Sequence, residues 1–89
     1  MPDEPLLREK AREAIRCGRL PSTRASRTFG GPGSGATCAV CREPIPRTDT
    51  EYELEFNRHG VSPGFDRYYL HYRCFAAWEL ERTKVEDQM

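Results

Sequence analysis

Four side chains of this sequence have types and spacings that suit a metal site. Cys38 and Cys41 form one pair, His71 and Cys74 form a second, and two residues separate the members of each pair. Thiolate and imidazole are ligands of tetrahedral zinc, and such short paired spacings are typical of structural zinc sites. Three thiolates and one neutral imidazole would fill the four positions and leave none for water. The sequence therefore predicts one structural Zn²⁺ ion and argues against hydrolytic chemistry at that ion.

Two further side chains are of types that can do chemistry, and neither is predicted to be catalytic. His59 has no positioned partner for general-base work, so we interpret it as a binding residue or a solvated one. Cys17 lies at the edge of a helical apolar stripe, and we interpret it as a small buried hydrophobic residue. The glycine-rich segment 29–35 lacks the preceding strand and the following Lys-Ser/Thr of a phosphate-binding loop. His71 should donate its second ring N–H to a carbonyl or carboxylate group.

Basic side chains are concentrated in the first half of the chain. Residues 8–27 contain seven Lys or Arg against two Glu, whereas residues 48–89 contain five Lys or Arg against nine Asp or Glu. The basic stretch predicts contacts to a partner, and phosphate contacts would make binding to nucleic acid salt-dependent. Zero net charge overall argues against general binding to polyanions. The candidate binding residues are Arg8, Arg12, Arg16, Arg19, Arg24 and Arg27.

Length and composition indicate one small domain that needs an additional stabilising cross-link. A chain of 89 residues with 37% hydrophobic content buries a thin core, and a metal ion can compensate for it. No apolar run approaches the length of a membrane span, and the N-terminus has no signal-peptide core. Cysteines in such a chain favour metal ligation over disulfides. We therefore expect a cytoplasmic location, with no membrane association and no small-molecule substrate.

The first 37 residues contain one predicted helix. Residues 6–17 have helical periodicity, with Asp3 as a candidate N-cap and Gly18 as the residue that ends the helix. The apolar stripe consists of Leu7, Ala11, Ala14 and Ile15. Such stripes usually face a core, so we expect this helix to cover the zinc module, and the alternative is a partner-binding or dimerisation helix. Residues 19–37 predict no regular element and are either a linker or an ordered loop that Phe29 anchors.

The second half of the chain predicts a β-hairpin followed by a helix. Residues 51–56 alternate between apolar side chains and glutamates, residues 57–66 form a loop, and residues 67–72 form the second strand. The two apolar sets, Tyr52, Leu54 and Phe56 against Tyr68, Leu70 and Tyr72, should oppose one another. Arg67 or Tyr69 should face the glutamates. A helix is predicted over residues 72–84, and the core should include Phe75 and Trp78.

The chain is predicted to contain a tight turn with the ligands Cys38 and Cys41 (the knuckle), then a hairpin, then a helix. This order resembles the treble-clef zinc finger. The local patterns Cys38-x-x-Cys41 and His71-x-x-Cys74-Phe75 look like the first zinc half of a LIM domain, over roughly residues 36–83. The whole chain also resembles a group of small bacterial proteins, which implies no mechanism. The resemblance implies a small zinc-stabilised α+β fold with an added N-terminal helix. Residues 1–35 would form that helix and a glycine-rich loop, and residues 36–89 the treble-clef module of one compact domain.

Treble-clef modules, by this resemblance, bind proteins or nucleic acids, and some act as nucleases. The fold alone does not choose among these functions. We predict a non-enzymatic zinc-binding module that mediates protein–protein interaction, because the predicted site is closed and one strand face is acidic. The basic helix and this acidic face could meet within one chain or between two chains. The alternative is a small nucleic-acid-binding regulator that uses the basic 8–27 stretch.

Overall fold

A computed structural model describes residues 4–58 and 64–87 of the chain, and the side chains of residues 4–58 and 64–84. Its elements are helix α1 (Glu4–Arg16), strands β1 (Arg27–Pro32), β2 (Thr50–Arg58) and β3 (Gly64–His71), and helix α2 (Tyr72–Asp87). The strands form one antiparallel sheet in the order β1-β2-β3. Helix α2 packs on β2 and β3 with one side and on α1 with another. The fold class is therefore α+β, as predicted.

Helix α1 forms and packs as its apolar stripe predicts. Leu7, Ala11 and Ala14 are buried, and α1 packs on α2. The helix ends at Arg16, one residue earlier than expected, and Gly18 beyond it takes a positive φ of 81° that glycine adopts without strain. The prediction of a packing helix is confirmed. The proposed N-cap at residue 3 lies outside the described residues.

A buried carboxylate joins the two helices. Glu81 of α2 is 2% exposed, and its Oε1 accepts hydrogen bonds from Arg8 Nε at 3.2 Å and from Arg12 Nη1 at 2.8 Å. Lys84 Nζ lies 3.8 Å from the second oxygen. A buried carboxylate is tolerated only when it is paired and hydrogen-bonded, and both conditions hold here. This cluster fixes the position of α1 along α2.

Strand β1 corrects the expectation of an irregular segment at residues 19–37. It pairs with β2 from Arg27↔Glu55 to Pro32↔Thr50. Phe29 is 48% exposed and therefore does not anchor the segment, so that alternative is wrong. The strand lies at the edge of the sheet and is mostly exposed, so its ladder of backbone hydrogen bonds stabilises it. A strand that is stabilised mainly by backbone pairing need not alternate apolar and polar side chains, so the sequence of β1 shows no strand pattern.

The predicted hairpin is present, and its strands are longer than expected. Both strands extend into the predicted loop, where Asn57 pairs with Phe65 and Arg58 with Gly64. Residues 59–63 lie outside the described residues. The expected pairing of the apolar sets is confirmed by Tyr52↔Leu70 and Leu54↔Tyr68.

The glutamate face is also paired as expected, whereas one aromatic residue lies outside its predicted strand. Arg67 lies opposite Glu55 and donates a hydrogen bond to it at 3.0 Å, and Tyr69 lies opposite Glu53. Tyr72 is the first residue of α2 instead of the last of β3, and it is 56% exposed. The strand ends one residue earlier than predicted because the helix begins directly after it.

Aromatic side chains supply much of the core, as expected from the low apolar content. Trp78 is fully buried, and its indole N–H donates to the Pro21 carbonyl at 2.9 Å. Phe56 meets Trp78 edge-on, with 6.2 Å between ring centroids, and Phe75 stacks on Tyr52 at 4.6 Å. The Trp78 hydrogen bond ties α2 to the segment after α1. No helix in the described ranges is long and apolar enough to cross a membrane.

Candidate metal centre

The two predicted ligand pairs meet at one point of the structure. The sulfur atoms of Cys38, Cys41 and Cys74 and a ring nitrogen of His71 all lie within 4.8 Å of one another. Around one tetrahedral ion with Zn–S bonds of about 2.3 Å, sulfur atoms would be about 3.8 Å apart. The cluster is therefore compact enough to hold a single metal ion. Three cysteines and one histidine are a ligand set that fits zinc.

The first pair lies in a tight turn between β1 and β2. The Arg42 amide donates to the Cys38 carbonyl at 2.9 Å, and the Cys38 amide donates to the Glu43 carbonyl at 2.9 Å. Arg42 completes the turn with a φ of 68°, a left-handed conformation that costs a non-glycine residue about 1–2 kcal/mol. The turn brings the two thiols, Cys38 and Cys41, to the same point despite that cost.

The second pair lies at the junction between a strand and a helix. His71 is the last residue of β3, and Cys74 lies in the first turn of α2. The Ala39 amide donates to the Tyr69 carbonyl at 2.9 Å, which joins the turn of the first pair to β3 close to His71. Arg19 Nε donates to the Ala39 carbonyl at 3.0 Å from the other side. Hydrogen bonds of the protein itself therefore hold the two pairs at the right separation.

Burial and mutual hydrogen bonding perturb the thiols of the cluster. Cys38 and Cys74 are buried, whereas Cys41 is partly exposed. A hydrogen bond from the Cys74 thiol lowers the pKa of Cys38 to about 4, and the same bond, with burial, raises the pKa of Cys74. Burial raises the pKa of Cys41. Without an ion the cluster therefore favours one thiolate that neighbouring thiols stabilise, and metal binding must displace the remaining protons.

The two ring nitrogens of His71 face different groups. Nδ1 lies 3.4 Å from Cys41 Sγ and 3.9 Å from Cys74 Sγ, so Nδ1 is the nitrogen that faces the sulfur atoms. Nε2 faces Asp49, with 3.9 Å between Nε2 and Oδ2. This distance is longer than a direct hydrogen bond, but the pair has the polarity usual for a metal-bound histidine. Asp49 is therefore a carboxylate that faces this nitrogen, and the predicted hydrogen bond from His71 stays a prediction.

The glycine-rich segment positions Asp49. The Gly33 amide donates to the Asp49 carbonyl at 2.9 Å, and the Asp49 amide donates to the Pro46 carbonyl at 3.0 Å. A Cβ atom on Gly33 would lie 1.9 Å from the Pro46 carbonyl oxygen, so only glycine permits this close approach. Sequence reasoning missed both roles, because nothing around Asp49 distinguishes it from a loop carboxylate.

Three of the predicted binding arginines lie on α1 and already have acidic neighbours. Arg8 and Arg12 donate to the buried Glu81. Arg16 pairs with Glu13 on the same helix at 3.2 Å, and both of these side chains are largely exposed. A role of these arginines in partner binding stays a prediction. Arg8 and Arg12 each use one guanidinium N–H group on Glu81, so a new ligand would have to bind their remaining N–H groups.

The other three predicted arginines follow α1 and have different surroundings. Arg19 contacts the turn of the first ligand pair through the Ala39 carbonyl. The Arg27 guanidinium lies over the Phe65 ring, 5.6 Å from its centroid. Arg24 is exposed, and within the described ranges it forms no ion pair. The structure therefore does not gather the six arginines into one surface site.

The two remaining sequence candidates do not join the cluster. Cys17 is exposed, contrary to the prediction that it is buried. Helix α1 ends at Arg16, so Cys17 leaves the buried stripe, and its sulfur lies 3.4 Å from Arg19 Nη1. His59 lies outside the described residues, so its interpretation stays a prediction.

Comparison of the chain with models of protein families, with curated proteins and with solved structures found no match. The interpretation of the site therefore depends on its own side chains. Their arrangement defines a small α+β protein with a candidate metal centre formed by three cysteines and one histidine.

Proposed function

We propose that this chain is a non-enzymatic zinc-binding module in which one structural Zn²⁺ ion joins a knuckle, a β-hairpin and a helix in the treble-clef arrangement. The observation that carries the proposal is the convergence of Cys38, Cys41, His71 and Cys74, whose donor atoms lie within 4.8 Å of one another. Four protein ligands complete a tetrahedron, so the ion would cross-link the fold and would have no open coordination position for a reaction. The order of the elements supports the treble-clef arrangement.

The proposed module acts by binding another protein. Its support is the closed ligand set, zero net charge and the acidic face of β2, where Glu51 and Glu53 are partly exposed. Binding of nucleic acid is the weaker alternative, because two of the arginines that would contact phosphates are paired with the buried Glu81. A salt-dependent titration with duplex and single-stranded DNA separates the two proposals, since phosphate contacts would make affinity fall steeply with salt. Cytoplasmic location is part of the proposal, because a reducing compartment keeps the three thiols available.

The metal proposal is tested by elemental analysis and by chelation of the purified, reduced chain. We expect one zinc ion per chain, and we expect chelation to remove the circular dichroism of the hairpin and of α2. Structural zinc contributes about 10–16 kcal/mol of apparent binding free energy, which exceeds what a core of this size supplies.

Variants of single cysteines give the same test at residue level. Cys41→Ser and Cys74→Ser should lose zinc and unfold, whereas Cys17→Ser is the matched control and should retain both zinc and fold, because Cys17 is exposed and outside the cluster. Acidification should act like chelation, because protonated thiols and imidazole do not bind the ion. Metal-free, reduced protein that remains fully folded would refute the proposal.

A further inference from the structure

A cleft of about 380 Å³ opens beside the proposed metal centre. Cys41, His71 and Cys74 form part of its wall, together with the segment 48–50 and the start of α2. Its size lies within the range of about 300–1,000 Å³ that is usual for binding sites. The cleft therefore gives a partner access to the side of the metal cluster.

The floor of the cleft is apolar, and an aromatic ring stands at its edge. Leu7 and Cys74 are its most buried lining residues, at 5% and 2% exposure. Tyr72 is 56% exposed although it lies against Tyr52, with 6.0 Å between ring centroids. An apolar recess beside an exposed aromatic side chain is the kind of place where an interface anchor residue inserts.

The cleft is also electronegative. Three thiolates, a neutral imidazole and Zn²⁺ together carry one negative charge, and the carboxylates of Glu43 and Asp49 add two more against the single positive charge of Arg73. Within the described part of the chain Glu43 forms no ion pair, and the Asp49 carboxylate lies 3.9 Å from the neutral His71 ring. A concave site lined by one sign of charge attracts ligands of the opposite sign.

We propose that this cleft binds a segment of a partner protein in which a large apolar side chain is adjacent to Lys or Arg. The apolar side chain displaces water from Leu7 and Tyr72, and the cationic side chain faces Glu43 and Asp49. This inference rests on the proposed function, because the negative charge of the wall depends on a zinc–thiolate centre. It identifies the partner by its chemistry and excludes acidic segments as ligands.

The proposal is tested with three blocked tripeptides that differ only in charge or apolarity. The zinc-loaded full chain is titrated with acetyl-Arg-Phe-Arg-amide, acetyl-Glu-Phe-Glu-amide and acetyl-Arg-Ser-Arg-amide, and backbone amide resonances are followed by NMR. We expect the first peptide to shift the amides of residues 48–50 and 71–74. The other two should bind at least about threefold more weakly, since each lacks either the ion pairs or the apolar anchor.

Two pairs of variants localise the binding. Glu43→Gln should weaken the Arg-Phe-Arg peptide about twofold or more, whereas Glu9→Gln, on an exposed part of α1, should leave it unchanged. Tyr72→Ala should weaken it further, and Leu80→Ala is the control at an exposed apolar residue of α2 that does not line the cleft. Zinc content is measured on each sample, so loss of the metal is distinguished from loss of the peptide site.

Several outcomes would overturn the inference. The first is that none of the three peptides binds. The second is that the acidic peptide binds as tightly as the Arg-Phe-Arg peptide. The third is that the amide shifts are confined to residues outside the cleft. Concentration-dependent broadening of the cleft amides without peptide would instead assign the cleft to a second copy of the chain. If the protein contains zinc and these outcomes occur, the inference fails and the structural zinc site stands; absence of zinc would refute the proposed function itself.

Discussion

Replacement of Gly33 by alanine tests whether the glycine-rich segment holds the metal centre in place. A Cβ atom at this position would lie 1.9 Å from the Pro46 carbonyl oxygen, 2.6 Å from its carbonyl carbon and 2.7 Å from the Ile45 carbonyl oxygen. All three atoms belong to the backbone, so no side-chain rotation can make room. Non-bonded carbon and oxygen atoms stay about 3.3 Å apart or more, so the two segments would have to separate by over ~1 Å.

Separation of the two segments would cost free energy through overpacking and through two weakened hydrogen bonds. Overpacking alone typically costs about 1–3 kcal/mol. The hydrogen bonds from the Gly33 amide to the Asp49 carbonyl and from the Gly35 amide to the Ile45 carbonyl, both 2.9 Å long, would weaken at about 0.5–1.5 kcal/mol each. We therefore expect Gly33→Ala to lower the free energy of unfolding by about 2–6 kcal/mol, a large part of the stability of a small domain.

The matched control is Gly31→Ala, two residues earlier. No atom lies within 4 Å of a Cβ at Gly31, and its φ is not positive, so this variant should stay within about 1 kcal/mol of the original chain. Denaturant unfolding is followed by the fluorescence of Trp78, the single tryptophan and a fully buried one. The free zinc concentration must be fixed, because bound ligand adds to apparent stability. Equal stability of the two variants within about 0.5 kcal/mol would refute the described packing of Gly33.

Three further predictions concern single side chains. Asp49→Asn should weaken zinc binding about 10–100-fold in competition with a chromophoric chelator, because His71 loses the carboxylate on its outer nitrogen. Replacement of Glu81 by Gln should lower the free energy of unfolding by about 1–3 kcal/mol in denaturant titrations, since Arg8 and Arg12 of α1 lose their anionic partner. Hydrogen bonding to Glu53 and burial raise the pKa of Tyr69, so the folded state holds this proton more tightly than the unfolded state. The resulting contribution to stability is present below the ordinary tyrosine pKa of about 10 and is lost as the pH rises through the pKa of Tyr69 in the folded state. Tyr69→Phe should therefore remove this part of the loss of stability at alkaline pH.

Each of these predictions has a control of the same chemistry. Asp66→Asn removes an exposed carboxylate that pairs with Arg58 and should leave zinc affinity unchanged. Glu9→Gln removes an exposed charge from α1 and should change stability by less than about 0.5 kcal/mol. Tyr72→Phe should keep the alkaline loss, because Tyr72 does not face Glu53. A variant that behaves like its control would contradict the role given to the residue concerned.

The predictable parts of this fold are those that local sequence encodes. The two Cys/His pairs are short-range patterns, and the prediction of one ion with four ligands required that they meet. The alternation in residues 51–56 predicted the strand and the burial of Leu54 and Phe56, but not the burial of Glu55, and the stripe of α1 predicted its packing. In each case the periodicity of apolar side chains reports which face is buried.

The missed features depend on partners that are distant in the sequence. Strand β1 forms because β2 offers a backbone ladder, and Gly-Gly-Pro within it gives no strand signal. Glu81 accepts hydrogen bonds from Arg12 and Arg8, which lie 69 and 73 positions away in the sequence. On its own helix Glu81 has the pattern of a solvated charge. The prediction for Cys17 was wrong because the helix ends one residue before it. Such features become visible only in the tertiary structure.

The positions of these distant interactions explain why a metal clamp suits this chain. The buried carboxylate at Glu81 and the Trp78 hydrogen bond to Pro21 attach α1 and the segment after it to α2, about one to two helical turns beyond Cys74. The sheet contacts the same helix through the rings of Tyr52 and Phe56, which meet Phe75 and Trp78. Within the described residues, the knuckle of Cys38 is tied to the rest of the fold by the burial of Val40 and Ile45 in the core and by backbone hydrogen bonds around Ala39 and Ile45. Such bonds contribute about 0.5–1.5 kcal/mol each and align the four ligands, and the proposed ion would add about 10–16 kcal/mol of apparent binding free energy to them.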